Sequence, residues 1–578
     1  MHQLHSLILT CVAALAVTAC TGPLNRSHSD ELRRQVLAET RAQLGSSEHR
    51  TAGPDGATSA STGDPGGASA GPRLASLELA GLEIAAALDG AEEQPRLAPV
   101  ELSLHRALDL AIEHNLRGQI ARMRPRAAEQ QLLHARARFD PRLTSRVDWL
   151  RADEPQPTGP ILGLAGDRRT EQLEGAVGLH QPLPTGGSLE LETIVRRNAE
   201  EPSVFDINRY YESEVMLSLR HPLLRGAGLD VNRAEIELAR NIEASEIHHL
   251  RQELEALAAE VEAAYWRLRV AHQRVTIRRE LRDRALAEQR RIEQRIELDA
   301  APIQLAEARS FVELRQIELA DARQGLRDAS DRLRWLVWAP ETAFDDRALI
   351  VPIDAPAAVL PGLDVPEAIT AALEHRPELE RALLEVDDAE IRREVAENLR
   401  RPTLDVLGQV GMAALDEDQP GRAIRELDRL DYPTYRLGVQ FEMPIGNRQG
   451  RALAQQRRIE QRQRATEYRH LAQEVMLEVT IAARQVESSH EQIALAQAAR
   501  DAAQARLRAI EAQEQAGVEL TPEYMLDRKL SAQQRLADMQ LRVADALARH
   551  MTALAQFHHA QGLLLDRRGI AFVEPDVQ

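Results

Sequence analysis

The sequence TYRLGVQFEMPIGNRQGRA, which runs from Thr434 to Ala452, contains the pattern that decides the fold. In its first half, apolar side chains alternate with small or polar ones from Tyr435 to Met443. A period of two is typical of a β-strand that has one apolar face and one polar face. Pro444 ends this strand, and the residues that follow predict one very long helix. Short two-faced strands joined to long helices are therefore the basic plan of the chain.

The composition also favours long helices. Of the 578 residues, 28% are charged and only 3% are aromatic, and Ala, Leu, Glu, Arg and Gln are abundant. The formal net charge of −18 argues against a nucleic acid as the partner. We find no Ser-His-Asp pattern, no phosphate-binding loop and no convincing metal-ligand spacing. The sequence thus predicts neither an enzyme nor a bound cofactor.

The first 20 residues resemble an export signal. An apolar core is followed by Val17-Thr18-Ala19-Cys20, and small residues directly before a cysteine resemble a bacterial lipobox. On this interpretation residues 1–19 are a signal peptide and Cys20 is lipidated. The alternative is an ordinary signal peptide in which Cys20 is incidental, and the leading MHQLHS has no Lys or Arg. Apart from one helical pattern at 29–44, residues 20–98 are expected to form a largely disordered tether.

From residue 102 onward the chain repeats itself. Residues 102–143 align on residues 363–404 without a gap, at an offset of 261. Each repeat predicts a short helix, a longer helix, strands, a very long helix and a final helix. We place the first repeat at 102–340, the second at 363–565 and a C-terminal tail at 566–578.

Apolar and proline positions set the predicted bounds of the elements. In the first repeat they are helices 104–114 and 117–139, strands 143–151 and 213–220, an extra hairpin 173–196, and helices 232–298 and 303–338. In the second repeat they are helices 365–375 and 378–400, strands 403–413 and 434–443, and helices 449–515 and 522–561. Along the first long helix, coiled-coil spacing predicts a packed seam of Ile247, Leu250, Leu254, Leu257, Val261, Ala264 and Leu268.

The strands are about as long as those that cross a membrane, ~9–11 residues. Four to six strands cannot close a membrane barrel, whose lower limit is about eight. The sequence therefore predicts a β-barrel shared between chains, and four strands from each of three chains would give about twelve. The extra hairpin at 173–196 either enlarges this barrel or lies outside it.

Three motifs carry a resemblance to a known family. FDPRL at 139–143, HPLLRGAG at 221–228 and MPIGNRQGRA at 443–452, together with the tandem plan, resemble the TolC-type outer-membrane efflux proteins of Gram-negative bacteria. The resemblance covers about 102–565. It implies a mainly α fold with membrane β, in which a tandem-repeat, long-helix α-barrel in the periplasm adjoins a β-barrel shared between three chains.

The resemblance also implies partners and a location. A homotrimer would be the exit duct for an inner-membrane pump that is joined to it through a periplasmic adaptor protein. It would lie in the outer membrane, in contact with its lipid, and lipid-anchored members are common in the family. The cargo does not follow from the sequence.

The tip of the second repeat is the candidate gate. Glu523 and Asp527 are four residues apart on a predicted helix and share a face. They are the nearest matches to the acidic residues that narrow the pore in the family. The alternative is a solvated face on which both acids pair with Arg528 or Lys529 of a neighbouring chain.

Four residues at the predicted helix turns are candidates for docking an adaptor: Leu298, Gly517, Val518 and Leu520. Gly517 supplies the glycine that the family often has at a periplasmic turn. The first repeat instead has Glu297-Leu298-Asp299, which puts the contact there in doubt.

A second function class stays open on the sequence alone, namely a periplasmic coiled-coil adaptor or structural protein that bridges the two membranes. An adaptor would have a compact globular β-domain. Here the strands occur at corresponding places in two repeats, which favours the channel. Five aromatic residues near strand ends are candidates for an interfacial belt, or else pack in loops: Trp149, Tyr210, Tyr211, Tyr432 and Tyr435.

Overall fold

The computed structural model is mostly helical and contains one large antiparallel sheet. It describes residues 27–48, 100–155, 167–201, 209–295, 302–339, 349–360, 362–427, 432–516 and 522–572. The chain divides into two compact units. The sheet unit comprises Ala128–Glu243, Ala382–Glu467 and the chain up to Arg33, and the helical unit comprises Arg34–Ala127, Ala244–Arg381 and Tyr468–Gln578.

Helix α1 (Ser27–Glu48) lies within the segment predicted to be largely disordered, where the sequence has its one helical pattern. The first repeat then has the predicted order of elements. They are β1 (Val100–Leu102), α2 (Leu104–His114), α3 (Leu116–Arg136), β2 (Arg142–Pro155), β3 (Asp167–Pro182), β4 (Ser188–Glu201), β5 (Arg209–Pro222), α4 (Leu229–Arg295) and α5 (Pro302–Val337).

The second repeat follows the same plan after a short strand. Its elements are β6 (Ile350–Pro352), α6 (Val365–His375), α7 (Pro377–Leu399), β7 (Thr403–Asp416), α8 (Pro420–Glu426), β8 (Pro433–Glu442), α9 (Arg448–Gln515), α10 (Pro522–Ala560) and α11 (Leu564–Arg567). Strands β2 and β5 extend beyond their predicted bounds by one to four residues at each end. The hairpin of β3 and β4 begins six residues before and ends five residues after the predicted range 173–196.

Local chemistry explains where several helices begin and end. Ser103 caps α2, since its side chain accepts a hydrogen bond from the Arg106 amide at 3.2 Å. The side chain of Asp364 caps α6 by accepting a hydrogen bond from the Glu367 amide at 3.1 Å. Helix α4 begins directly after Gly228, whose φ of 108° favours glycine. Pro125 lies inside a continuous α3.

The large sheet has the strand order β2-β3-β4-β5-β7-β8, and all neighbouring pairs are antiparallel. The extra hairpin consists of β3 and β4, and it is inserted between β2 and β5. The described chain therefore contributes six strands to this sheet, and the hairpin whose place the sequence left open is part of it. The alternating residues of the hairpin already indicated strands, but not which strands they pair with.

The helical unit is built around the long helix α4. Six of the seven predicted seam residues are buried, and the exception is Ile247, which is half-buried. The neighbouring side chain of Tyr265 is fully buried. Its hydroxyl lies 2.7 Å from a carboxylate oxygen of Asp354, which also accepts the Leu104 amide proton at 2.6 Å. This network connects α4 to the start of α2 and to the segment after β6.

The segment predicted as a C-terminal tail is in part docked against α4. Arg568 forms an ion pair with Glu262, whose side chain is fully buried. Glu255 accepts the amide protons of Leu564 and Leu565 at 3.1 and 3.3 Å. Ile570 and Phe572 pack against the same core cluster. Residues 566–572 of the predicted C-terminal tail are therefore docked on the helical unit, and 573–578 lie outside the described residues.

Burial changes the ionisation of both α4 carboxyls. It raises the pKa of Glu255 to about 7, against the opposing effect of the amides of Leu564 and Leu565 and of Arg251. Burial also raises the pKa of Glu262, although Arg568 opposes this shift. The attachment of the C-terminal segment is therefore sensitive to protonation.

Candidate functional site: a two-faced sheet and a helical tip

One face of the sheet is apolar across all six strands. The register places β2, β3, β4, β5, β7 and β8 residues side by side in rows, so that one face can be followed from edge to edge. Representative residues on this face are Leu143, Val147, Leu173, Val177, Leu179, Leu189, Leu191, Val215, Leu217, Leu219, Leu404, Val406, Val410, Leu437, Val439 and Phe441. Leu437 is 84% exposed and Val147 is 76% exposed. A broad exposed apolar surface of this kind marks contact with lipid or another protein.

The opposite face is polar, and a ladder of ion pairs crosses it. Glu174 on β3 lies 2.7 Å from Arg146 on β2 and 2.7 Å from Arg196 on β4. Arg196 in turn lies 3.4 Å from Glu214 on β5. Further along, Arg220 on β5 approaches the Asp405 carboxylate on β7 to 2.6 Å. The polar face is therefore charged, and several of its charges are paired across neighbouring strands.

Among the described residues, no further strand pairs with either edge of the sheet. β2 and β8 are the terminal strands, and nearly all of their residues are exposed. An open edge leaves a row of backbone amides and carbonyls without partners, which is a template for pairing with another strand. The two edge strands run in opposite directions, because five antiparallel steps separate them.

Two corners join the sheet to the long helices, and asparagine side chains hold both. At the first corner, Asn398 accepts the Gly226 amide proton at 2.7 Å, and Asn232 donates to the carbonyls of Gly226 and Gly228 at 2.8 Å. At the second, Asn447 adopts a positive φ of 36° and donates to the Arg400 carbonyl at 2.7 Å. Two of the three motifs that carried the family resemblance, HPLLRGAG and MPIGNRQGRA, thus form the strand-to-helix corners.

Register also locates the candidate aromatic belt. Trp149 and Tyr211 occupy one cross-strand row near the end of the sheet that is remote from the corners. Tyr435 lies on the same face but six residues along β5 from that row, beside Val410 and Leu217. Tyr432, Tyr435 and Trp149 are 72%, 67% and 62% exposed. The belt remains a prediction, and these exposures are compatible with it.

At the other candidate site, the structure describes only some of the predicted tip residues. Leu298, Gly517, Val518 and Leu520 lie outside the described residues. Glu523 belongs to the first turn of α10, but its side chain also lies outside the described part. Asp527 is exposed and has no ion pair among the described residues. Cys20, the candidate lipidation site, lies outside the described residues too.

A buried ion cluster beside Asp527 escaped the sequence analysis. Lys529, the only lysine in the sequence, lies 2.9 Å from both Glu288 on α4 and Glu514 on α9. Arg291 approaches Glu514 to 3.3 Å. Lys529 is therefore engaged within its own chain, contrary to the alternative in which it pairs with acids of a neighbour. Its uniqueness was the one sequence signal that could have drawn attention to it.

The remaining polar clusters do not form a catalytic site. Ser489 and His550 lie 3.0 Å apart, but both are buried, and His550 also lies 3.0 Å from the Val359 carbonyl. Within the described ranges, no group of three or more His, Cys, Asp or Glu residues could hold a metal ion. Among the described helices, none is both long and apolar enough to cross a membrane.

Residues 368–563 match the model of a protein family that is described as outer membrane efflux protein. This part of the chain is therefore similar to outer membrane efflux proteins. The match covers most of the second repeat, including β7, β8 and the corner between β8 and α9. The resemblance that the corner motifs suggested is thereby confirmed. Because this is a family of transport channels, the expectation that the protein is not an enzyme is confirmed as well.

Solved structures extend the likeness of the efflux domain to both repeats. A membrane protein from Pseudomonas aeruginosa is 18% identical, with a TM-score of 0.58 over 79% of this chain and 93% of that chain. The CmeC outer membrane channel of Campylobacter jejuni is 14% identical, with a TM-score of 0.57 over 80% and 86%. The open state of the MtrE outer membrane channel of Neisseria gonorrhoeae is 16% identical, with a TM-score of 0.55 over 79% and 88%.

These identities establish a shared fold. No curated protein matches the sequence. The predicted fold class, long helices in tandem with antiparallel β-structure, is confirmed by the likeness.

Proposed function

We propose that three copies of this chain form an outer-membrane channel that is the exit duct of a tripartite efflux or type I secretion system. The observation that carries the proposal is the two-faced sheet with both edges open. Its apolar face suits lipid, its charged face suits a water-filled lumen, and its edges need partners because unpaired backbone groups are prohibitively costly in a bilayer.

The strand directions support closure by identical copies. β8 of one copy runs antiparallel to β2 of a neighbour when both have the same orientation in the membrane, because β2 and β8 are antiparallel within each chain. Pairing of this kind is head-to-tail and generates a ring when the rotation closes. The edge strands also continue the apolar face, so the outer surface of such a ring would be apolar throughout.

The proposed partners are a periplasmic adaptor protein and an inner-membrane pump. The family match and the channel fold support this proposal, since an exit duct needs a source of cargo. Leu298, Gly517, Val518 and Leu520 remain the candidate docking residues at the helix turns. The bridging adaptor that the sequence left open is disfavoured, because the sheet is an open two-faced layer and not a compact β-domain.

Mass spectrometry of the full-length protein, purified from outer membranes in detergent, tests assembly and anchoring together. The native spectrum is expected to give three copies, and the intact mass of one chain is expected to include lipid on Cys20 with residues 1–19 removed. A stable monomer would overturn the trimer. An unmodified chain that starts elsewhere would overturn the lipid anchor and leave the channel standing.

Conduction through planar bilayers tests the gate. We propose that Glu523 and Asp527 form carboxylate rings at the periplasmic end of the channel. Charged rings of this kind set the ion selectivity of pores, so Glu523→Gln with Asp527→Asn is expected to lower the cation-to-anion permeability ratio by roughly twofold or more. Reversal potentials in a salt gradient measure this ratio.

The matched control for the gate is Glu474→Gln. Glu474 is an exposed acid on α9, about 60 Å along the helix from its end at Gln515. Glu474→Gln also replaces a carboxylate by an amide, one per chain and far from the tip, and is expected to leave the permeability ratio as it was. If the double variant had the wild-type permeability ratio, the constriction would lie elsewhere.

A further inference from the structure

The inserted hairpin of β3 and β4 is an integral part of the sheet. β3 pairs with β2 over its register from Arg142↔His180 to Pro155↔Asp167, and β4 pairs with β5 from Ser188↔Arg220 to Ala199↔Arg209. The hairpin therefore separates β2 from β5 completely. A peripheral flap would leave those two strands paired with each other.

Both faces of the hairpin continue those of its neighbours. On the apolar face, β3 contributes Val177 and Leu179, and β4 contributes Leu189 and Leu191. On the polar face, Glu174 and Arg196 supply the two central members of the ion-pair ladder that starts on β2 and ends on β5. A hairpin outside the wall of the barrel would not need an apolar face that continues the apolar face of the sheet. It would also not need ion pairs to the strands on both of its sides.

The turn of the hairpin is also anchored. The Gly228 amide donates to the Thr185 carbonyl at 3.2 Å. A Cβ atom added at Gly186, whose φ is 97°, would lie 2.1 Å from the Gly226 carbonyl oxygen. The turn thus packs directly on the corner between β5 and α4, and only glycine fits there. Three independent features fix the hairpin in place: backbone register, side-chain pairs and this close approach.

Resting on the proposed trimer, we infer that the hairpin widens the outer-membrane pore from about twelve strands to about eighteen, which admits broader hydrophilic cargo. Three copies of a six-stranded sheet supply eighteen strands. With strands about 4.8 Å apart and tilted by about 40°, the backbone cylinder grows from roughly 24 Å to roughly 36 Å in diameter. Barrels of 16–18 strands leave an aqueous channel, which side chains do not fill.

The surface that the hairpin adds to the lumen suits cargo that keeps its water. Glu174, Glu190, Glu192 and Arg196 all lie on the polar face of β3 and β4. Such a wall offers little to bind an apolar drug-sized molecule and would let bulky hydrated solutes or extended polypeptide pass. The hairpin thus sets the width of the outer-membrane part of the duct and adds charged residues to its wall.

Disulfide trapping in the assembled protein tests whether the hairpin is in the wall. The cross-strand pairs Ser145→Cys with Val177→Cys, and Thr193→Cys with Val215→Cys, lie on one face and join the hairpin to β2 and to β5. Both are expected to form within single chains of the trimer, with trimer yield unchanged. Trimers in which neither pair oxidises would show that the hairpin lies outside the wall, and would overturn the inference without affecting the proposed channel.

Polymer access measures the width itself. Ser218→Cys lies on the polar face, and Leu217→Cys beside it on the apolar face is the matched control. Maleimide-polyethylene glycols of graded size, added from the extracellular side, are expected to modify Ser218→Cys but not Leu217→Cys. Replacing residues 156–208 by a short turn joins β2 to β5 directly and is expected to shift the largest reactive polymer to a smaller size. An unchanged cut-off in an assembled trimer would overturn the inference, and if this variant fails to assemble, the disulfide pairs alone decide it.

Discussion

Leu437→Arg is expected to prevent the protein from assembling in the outer membrane. Leu437 lies in the middle of edge strand β8, on the apolar face, and is 84% exposed in the isolated chain. An arginine on the lipid face of a barrel costs about 2–4 kcal/mol near the bilayer midplane, so three copies would lose roughly 6–12 kcal/mol per trimer. That is comparable to the whole stability of many proteins. The amount of trimer in outer-membrane fractions measures the effect.

Gln440→Arg is the matched control for this substitution. Gln440 lies on the same strand but on the opposite, polar face, where it is paired with Asp405 in the register. In the proposed assembly it faces water, so the same new charge is expected to leave the trimer yield close to that of the wild type. Equal trimer yields from Leu437→Arg and Gln440→Arg would mean that the apolar face does not contact lipid.

Arg568→Leu is expected to detach the C-terminal segment from α4 in a pH-dependent way. Removing one partner of a buried ion pair lowers the free energy of unfolding by about 3–5 kcal/mol. Arg568 itself is one-quarter exposed, so we expect about 3 kcal/mol, near the lower end of that range. The loss leaves the fully buried Glu262 without its cation, so the pKa of Glu262, which burial already raises, rises further.

The direction of the pH dependence follows from this shift. A carboxyl whose pKa is higher in the folded than in the unfolded state holds its proton more tightly when folded. Its favourable contribution is present below the unfolded value, about 4.5, and is lost as the pH rises through the folded value. Arg568→Leu is therefore expected to have a thermal unfolding midpoint closest to that of the wild type near pH 4.5. As the pH rises above this value, the midpoint of the variant is expected to drop further below that of the wild type.

The companion variant Arg568→Leu with Glu262→Gln separates charge from packing. It removes the titrating group and retains the packing change, so its midpoint relative to the wild type is expected to lose the added pH dependence. If both variants showed the same pH profile, Glu262 would not be the group responsible.

The order of elements could be predicted from the sequence because each depends on local pattern. The alternation from Tyr435 to Met443 defines β8 whichever strand lies beside it, and the heptad-like seam from Ile247 to Leu268 defines the packed face of α4. Prolines and glycines indicated the corners, because each affects the backbone conformation at its own position. The family motifs lie at those corners, so the family could be recognised as well.

The features that escaped the sequence depend on partners that are distant along the chain. Alternation identified β3 and β4 as strands, but Glu174 pairs with Arg196 and Arg146 only in the folded register. Arg568 finds Glu262 at a separation of 306 residues, and Lys529 finds Glu288 at a separation of 241. The sequence alone does not show the partner of a charged residue near a terminus or a turn, so neither of these ion pairs could be predicted.

The most direct test of the account is electron cryo-microscopy of the full-length protein in detergent or lipid nanodiscs. We predict a closed ring of three chains in which β8 of each chain pairs antiparallel with β2 of the next, with the apolar face outward. A particle in which the edges of the six-stranded sheet stay unpaired, or in which the apolar face lines the interior, would contradict it.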